Sequence, residues 1–151
     1  MSDLRELYQE VILDHSRNPR HFGRLENASH NARGRNPLCG DDITIYLKVT
    51  GNLISDISFE GSGCAISTSS ASLMSEALKG KTLEEVKAIF DDFHKMVTGD
   101  PSQEAEVSPQ MGKLAVMAGV REFPIRVKCA TLGWHALMAA LAESGDTIST
   151  E

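Results

Sequence analysis

The sequence predicts an α+β fold, in which a small antiparallel β-sheet is packed with about five helices. The segments Ile43–Val49 and Leu53–Glu60 are rich in β-branched residues and are joined by Thr50-Gly51-Asn52, a pattern typical of a β-hairpin. Apolar residues recur at helical spacing in the other main segments. With 151 residues, the chain is long enough for a substantial core, and we expect residues 1–151 to form one domain.

Capping and breaking residues predict where the helices begin and end. The first helix should end near Asn18-Pro19, and Thr82-Leu83-Glu84-Glu85 is a capping box that opens the third. The remaining helices are predicted from Cys64 to Gly80, from Ser108-Pro109 to Gly119, and onward from Pro124. The stretch from Thr98 to Glu106 is expected to be a loop.

Composition argues against several classes of function. The formal net charge of -6 lacks the basic excess that a nucleic-acid-binding face normally needs. No apolar run approaches the roughly 20 residues that a membrane-spanning helix requires. The N-terminus alternates acids and bases where a signal peptide would be apolar, and the three cysteines are far apart. We therefore expect a cytoplasmic protein with reduced thiols, binding neither nucleic acid nor membrane.

The run "NPLCGDD" places a thiol, Cys39, two residues before a carboxylate, Asp41. In extended backbone these side chains point to the same side, so they can converge on one site. Cys64 follows Gly61-Ser62-Gly63, which permits a sharp turn from strand into helix, and a thiol at a helix N-terminus is favoured as thiolate.

Cys129 lies in the last predicted helix, away from its apolar stripe. At about 100° per residue it falls opposite the stripe formed by Val127, Ala130, Trp134, Leu137, Met138 and Leu141. Three thiolates and one carboxylate form a reasonable tetrahedral zinc set. The alternative is three unrelated cysteines, because free cysteine is often buried and the spacing lacks a C-x-x-C motif.

Other polar residues suit structural roles better than catalytic ones. His15, His21, His30 and His94 are interpreted as surface or capping residues, because none lies within a few residues of a cysteine. The run from Ser67 to Ser72 is interpreted as a tightly packed helix face.

Three motifs carry a family resemblance. "NPLCGDD", "GSGCAISTSSASLM" and "VKCATLGWHAL" resemble, in order, the cysteine motifs of the NifU N-terminal/IscU/SufU family of iron–sulfur cluster assembly proteins. "LYQEVILDHSRNPRHFG" resembles the opening helix and loop of that family. The resemblance implies an α+β fold and implies that Cys39, Asp41, Cys64 and Cys129 are metal or cluster ligands.

Two features resemble the SufU branch. Lys128 stands where IscU scaffolds have a histidine, and the segment from about Phe93 to Ser108 resembles the SufU insertion. The resemblance then implies a zinc-dependent sulfurtransferase that accepts persulfide sulfur on Cys39 from a pyridoxal-phosphate cysteine desulfurase of the SufS type. A desulfurase histidine would replace Cys39 on zinc, and the sulfur would pass to a downstream cluster scaffold.

Two alternatives stay open at this level. Thiolates also bind iron–sulfur clusters, so the same four residues can carry a transient [2Fe–2S] cluster on a scaffold protein. A zinc ion with a purely structural role is the other. Arg126 and Lys128 flank Cys129 and either offset the negative charge of the site or are ordinary solvated charges.

Overall fold

The computed structural model describes residues 2–103, 107–142 and 148–149. Over these ranges the predicted α+β class is confirmed. In chain order the elements are α1 (Ser2–Arg17), β1 (His30–Asn36), β2 (Asp41–Thr50), β3 (Leu53–Ser62), α2 (Ala65–Leu78), α3 (Leu83–Thr98), a 3₁₀ helix (Pro109–Glu122), α4 (Pro124–Ala142) and β4 (Ile148–Ser149). None of the helices in the described ranges has the length and apolar character needed to cross a membrane.

The sheet has the strand order β3-β2-β1-β4. The predicted hairpin of β2 and β3 is confirmed, and Gly51 takes a positive φ of 63° in its turn. β1 pairs antiparallel with β2, and the short β4 pairs parallel with β1. The first residue of β2 is Asp41, so the strand order brings the "NPLCGDD" run to the junction of β1 and β2.

Strand β1 is missing from the sequence-based prediction. Its inward positions are Ala32, Gly34 and Asn36, which give no hydrophobic signal of strand period. A small residue at Gly34 lets α4 approach β1 closely, because a Cβ added there would lie only 3.0 Å from Leu132 Cδ1. Helix α4 therefore packs directly against the backbone of β1.

The helices begin and end largely where capping residues predict. Both hydrogen bonds of the Thr82–Glu85 capping box are present, from Glu85 N to Thr82 Oγ1 (3.2 Å) and from Thr82 N to Glu85 Oε1 (3.0 Å). Cys64 is the N-cap of α2, and Pro124 begins α4. The predicted short helix from Pro109 differs, because it is a 3₁₀ helix that reaches Glu122.

That 3₁₀ helix is interrupted at Gly112, whose φ of 50° and ψ of -126° are not helical. The loop predicted from Thr98 to Glu106 begins at the last residue of α3, and its residues 104–106 lie outside the described residues.

The core lies between one face of the sheet and the helices. Ile43, Ile45 and Leu47 of β2 are buried there, and α4 packs across β1 and β2 with α2 beside it. Trp134 of α4 stacks on Phe93 of α3 with ring centroids 4.4 Å apart. Two sides of the site described below, α2 and α4, are thus held by the main core.

Candidate metal centre

Cys39 lies in the tight turn of residues 37–40 that joins β1 to β2. The Cys39 N–H donates to the Asn36 carbonyl (3.2 Å), and Gly40 reverses the chain with a φ of 73°. Cys39 itself is therefore in a turn, not in extended backbone as the sequence argument assumed. It nevertheless converges with Asp41, because Asp41 is the first residue of the strand that follows.

Asp41 is buried at the start of β2 and bridges the turn to helix α2. Its Oδ1 accepts a hydrogen bond from Cys64 N (2.8 Å), and its Oδ2 lies 3.9 Å from Cys64 Sγ. A Cβ added at Gly63 would lie 2.8 Å from Asp41 Oδ1. Gly63 therefore does more than allow the chain to turn, since its missing side chain leaves room for the carboxylate.

Cys64 is positioned by the start of α2. It is the N-cap residue, and its Sγ accepts a hydrogen bond from Ser67 N (3.4 Å) in the place where a capping oxygen usually stands. The prediction of a thiol at a helix N-terminus is confirmed. The start of the packed helix α2 thus fixes the position of Cys64, whose side chain is half-buried.

Cys129 corrects one sequence argument. The apolar stripe implied that a residue opposite it lies away from the core, yet Cys129 is completely buried (0 % exposed). Helix α4 is buried on most of its circumference, so its apolar spacing does not separate a core face from a solvent face. Cys129 nevertheless faces the site, because its Sγ lies 3.3 Å from Cys39 Sγ.

Three of the four expected ligands form one group. The ligand atoms of Cys39, Asp41 and Cys129 all lie within 4.8 Å of one another, and Cys64 is next to this group through its contact with Asp41. Tetrahedral zinc with sulfur and oxygen ligands places them about 3.5–3.8 Å apart. The three-sulfur, one-oxygen donor set therefore fits zinc in type, and the group of Cys39, Asp41 and Cys129 also fits it in approximate spacing. Its role as a metal site stays a prediction.

The pKa of Cys129 is set by its burial and by the neighbouring thiols. Burial, and next the hydrogen bond with Cys39, raise the pKa of the Cys129 thiol well above its usual range, and the Cys64 thiol adds to the effect. A thiol with such a pKa is protonated at neutral pH unless a metal ion binds its sulfur, because a metal holds a coordinating thiol deprotonated.

Arg126 is one of the two basic residues that the sequence places beside Cys129. A hydrogen bond with Cys129, and then attraction to Cys64 and to the other two thiols, raise the pKa of its guanidinium. Arg126 is exposed, so it borders the site from the solvent side. We therefore interpret Arg126 as a residue that offsets the negative charge of the thiols, and not as an ordinary solvated charge.

A shallow groove opens beside Cys39, and sequence analysis did not identify it. The groove measures about 560 Å³, and three exposed apolar side chains are in its lining: Leu38 (72 % exposed), Phe123 (60 %) and Ile125 (62 %). Glu122, Pro124 and Arg126 complete it with Cys39. The sequence did carry a signal for this groove. Leu38 is an apolar residue next to Cys39, and Phe123, Pro124 and Ile125 are consecutive apolar residues at the start of α4. Exposed clusters of this kind mark binding surfaces.

One histidine prediction is wrong. His15 is buried, not a surface or capping residue, and its Nδ1 lies 2.7 Å from Ser72 Oγ, which joins α1 to α2. The Ser67–Ser72 run is largely buried, in agreement with a packed helix face. No histidine belongs to the ligand group found among the described residues.

Comparison with known proteins gives a consistent result. Residues 7–130 match the family model described as the NifU-like N terminal domain. The iron-sulfur cluster assembly scaffold protein IscU of Streptococcus pyogenes serotype M1 is 42% identical over 146 residues, covering 97% of this chain and 89% of the relative. The zinc-dependent sulfurtransferase SufU of Bacillus subtilis is 42% identical over 142 residues, covering 94% of each.

Solved structures agree with the fold. The crystal structure of a putative iron-sulfur cluster assembly scaffold protein for the SUF system from Fervidobacterium islandicum superposes with a TM-score of 0.81 at 36% identity, covering 91% of this chain and 98% of that one. A NifU-like N-terminal structure from Brucella abortus, at 24% identity and a TM-score of 0.79, shares the fold.

Proposed function

The chain belongs to the family of the NifU-like N-terminal domain, and on this premise we propose that it acts in iron–sulfur cluster assembly as a zinc-dependent sulfurtransferase. Its sulfur donor would be a pyridoxal-phosphate cysteine desulfurase of the SufS type, and its recipient a downstream cluster scaffold. Relatives named as IscU scaffolds and as SufU are equally similar to it, so the finer assignment depends on the chemistry of the site.

The observation that carries the proposal is the position of Cys39. It is half-buried in a turn at the mouth of the groove, whereas Cys129 is completely buried within α4 and Cys64 caps α2. Turns move at lower cost than packed helices. Cys39 is thus the ligand best able to leave the group and meet a sulfur donor while the others stay in place.

The transfer step needs no external oxidant or reductant. The Cys39 thiolate attacks the terminal sulfur of the donor's persulfide, a new S–S bond forms at Cys39, and the S–S bond of the donor breaks. The donor cysteine leaves as a thiolate, and Cys39 becomes the persulfide. When bound, zinc would keep the thiols of the site deprotonated and restrain their reactivity.

The chain's own residues supply the rest of the mechanism. Asp41, Cys64 and Cys129 would hold the metal, and Gly63 leaves space for the Asp41 carboxylate. Arg126 lies on the solvent side of the thiols and is placed to stabilise negative charge on the arriving persulfide.

The apolar rim of the groove suits the docking of the desulfurase. A donor whose persulfide reaches Cys39 must cover Leu38, because that residue precedes Cys39 in the turn and is largely exposed. Phe123 and Ile125 extend the same apolar surface. Burial of exposed apolar side chains at the centre of an interface is a common source of binding energy.

Metal content combined with sulfur loading tests the proposal. The protein, purified without reconstitution, should contain about one zinc ion per chain and gain persulfide when incubated with the desulfurase and cysteine. Iron with equivalent acid-labile sulfide, and no zinc, would favour the scaffold alternative. Zinc that is retained with no sulfur loading would indicate a purely structural metal.

A further inference from the structure

Asn36 is a buried polar residue beside the proposed metal site. It is completely buried, and neither its Nδ2 nor its Oδ1 has a hydrogen-bond partner in the part of the chain that the structure describes. In the register of β1 and β2 it is the direct partner of Asp41. Its carbonyl also accepts the Cys39 N–H. One residue is thus adjacent to two of the proposed ligands.

Ser67, in the first turn of α2, is a second buried polar residue next to the proposed ligands. It is buried, and its Oγ also lacks a hydrogen-bond partner among the described residues. Its backbone N–H donates to Cys64 Sγ (3.4 Å). A Cβ added at Gly63 would lie 3.2 Å from Ser67 Oγ and 2.8 Å from Asp41 Oδ1, so the hydroxyl and the carboxylate face the same backbone position.

Such unpartnered groups need a physical reason, because most buried polar atoms in folded proteins are hydrogen-bonded. Four unpartnered buried side-chain atoms are found in the described ranges, and three of them belong to Asn36 and Ser67. The fourth, Ser58 Oγ, is on β3 opposite Tyr46, five residues along β2 from Asp41. The unpartnered atoms are therefore concentrated at the proposed site.

We infer that Asn36 and Ser67 are positioning residues of the metal centre, whose Nδ2 and Oγ donate hydrogen bonds to its anionic ligands when a cation is bound. The inference rests on the proposed zinc site. Three thiolates and a carboxylate around Zn²⁺ carry a formal charge of -2, and neutral donors stabilise that charge without adding to it. The Asn36 amide offers two N–H donors and the Ser67 hydroxyl offers one O–H donor, whose hydrogen turns to suit its acceptor.

These hydrogen bonds would slow metal loss. Groups that hydrogen-bond to metal ligands typically change metal affinity by about 10- to 100-fold when they are removed. Ser67→Ala and Asn36→Ala should therefore lose zinc about 10- to 100-fold faster than wild type to a chromophoric chelator. Ser67→Thr keeps the hydroxyl and should stay close to wild type.

Ser58→Ala is the matched control, because it removes a buried, unpartnered serine hydroxyl far from the site. Its zinc-release rate should equal that of wild type. Cobalt(II) substitution gives a readout that a general loss of stability would not produce: the thiolate-to-cobalt absorption should shift in Ser67→Ala and Asn36→Ala and stay unchanged in Ser58→Ala. If Asn36→Ala does not fold, Ser67→Ala, which removes a single oxygen, still provides the test.

Zinc release from Ser67→Ala at the wild-type rate with an unshifted cobalt spectrum would overturn the inference, as would equal effects in Ser58→Ala. A wild-type protein that binds no zinc would instead overturn the proposed function. The two failures are therefore distinguishable.

Discussion

The turn of residues 37–40 and the buried part of α4 each supply a thiol to the same site, but they hold it differently. Cys39 is half-buried in a turn next to exposed Leu38, whereas Cys129 is completely buried in a helix that packs on the sheet. Their sulfur atoms are 3.3 Å apart. Two chemically identical side chains in contact thus differ in how easily each can leave the site.

The difference indicates a division of roles within the proposed site. Displacing Cys129 would require α4 to leave β1, where the side chain of Leu132 packs against Gly34. Displacing Cys39 would require a rearrangement of one turn, in which the Cys39 N–H donates a 3.2 Å hydrogen bond to the Asn36 carbonyl. The proposed function therefore predicts that the turn carries out sulfur transfer and that the helix retains the metal.

The largest expected effect comes from Cys129→Ser. The variant should lose zinc and lower the free energy of unfolding by about 3 kcal/mol or more, since loss of a bound metal is among the most destabilising changes. Cys39→Ser should lower the free energy of unfolding clearly less, because the remaining three ligands are on packed elements. Chelator competition and urea denaturation of both variants measure the contrast. Equal losses in the two variants would contradict the division of roles.

The next effect concerns the groove beside the turn. Ile125→Glu places a charge in the apolar rim and should raise the KM for the desulfurase roughly 30-fold, the size of an interface hot spot of about 2 kcal/mol. Zinc content should not change. Leu7→Lys alters another exposed leucine, on α1 and outside the groove, and serves as the control. An unchanged KM in Ile125→Glu would show that the desulfurase docks elsewhere.

A smaller effect is expected from Gly63→Ala. The added Cβ would lie 2.8 Å from Asp41 Oδ1, so the carboxylate must shift, and zinc release should accelerate about tenfold. Gly119→Ala is the control, because a Cβ there meets no atom within 4 Å. A Gly63→Ala variant that retains zinc like the control would mean that Asp41 is not held against the metal.

The smallest expected effect is a pH dependence of stability at the contact between α1 and α2, the helix that Cys64 caps. Burial, followed by the charge of Arg20, lowers the pKa of His15, which hydrogen-bonds Ser72 of α2. His15 is therefore protonated at a higher pH in the unfolded chain than in the folded protein. The contribution of neutral, buried His15 to the free energy of unfolding is complete above the ordinary histidine pKa of 6.5 and declines as the pH falls below that value.

The variant His15→Gln should have lower stability at pH 8 and a flatter stability profile between pH 8 and pH 5 than wild type. Part of the slope should remain, since burial and the neighbouring His94 also lower the pKa of His135. Thermal unfolding across this pH range measures both. A profile as steep as that of wild type would show that His15 does not contribute to it.

Much of the fold follows from the sequence because its signals are local. The hairpin and the capping box at Thr82 depend on neighbouring residues, and both are confirmed. Strand β1 was missed because its inward residues are small and are matched to α4, a contact remote in sequence. The 3₁₀ geometry after Pro109 was missed because its break lies at one glycine, Gly112.

The sequence motifs predict which residues form the candidate site but not the environment of those residues. The structure brings Cys39, Asp41 and Cys129 together and places Cys64 against Asp41. The burial of Cys129 was not predictable from apolar spacing, because α4 is enclosed on most of its circumference. The unpartnered groups of Asn36 and Ser67 depend on strand pairing and on the packing of α2, which a linear motif does not encode.

Mapping the transferred sulfur tests the division of roles most directly. The protein is incubated with the desulfurase and cysteine, its thiols are alkylated, and the peptides are analysed by mass spectrometry. We predict that the added sulfur is on Cys39 and that Cys39→Ser gains none while remaining folded. Sulfur found on Cys64 or Cys129, together with normal loading of Cys39→Ser, would contradict the account.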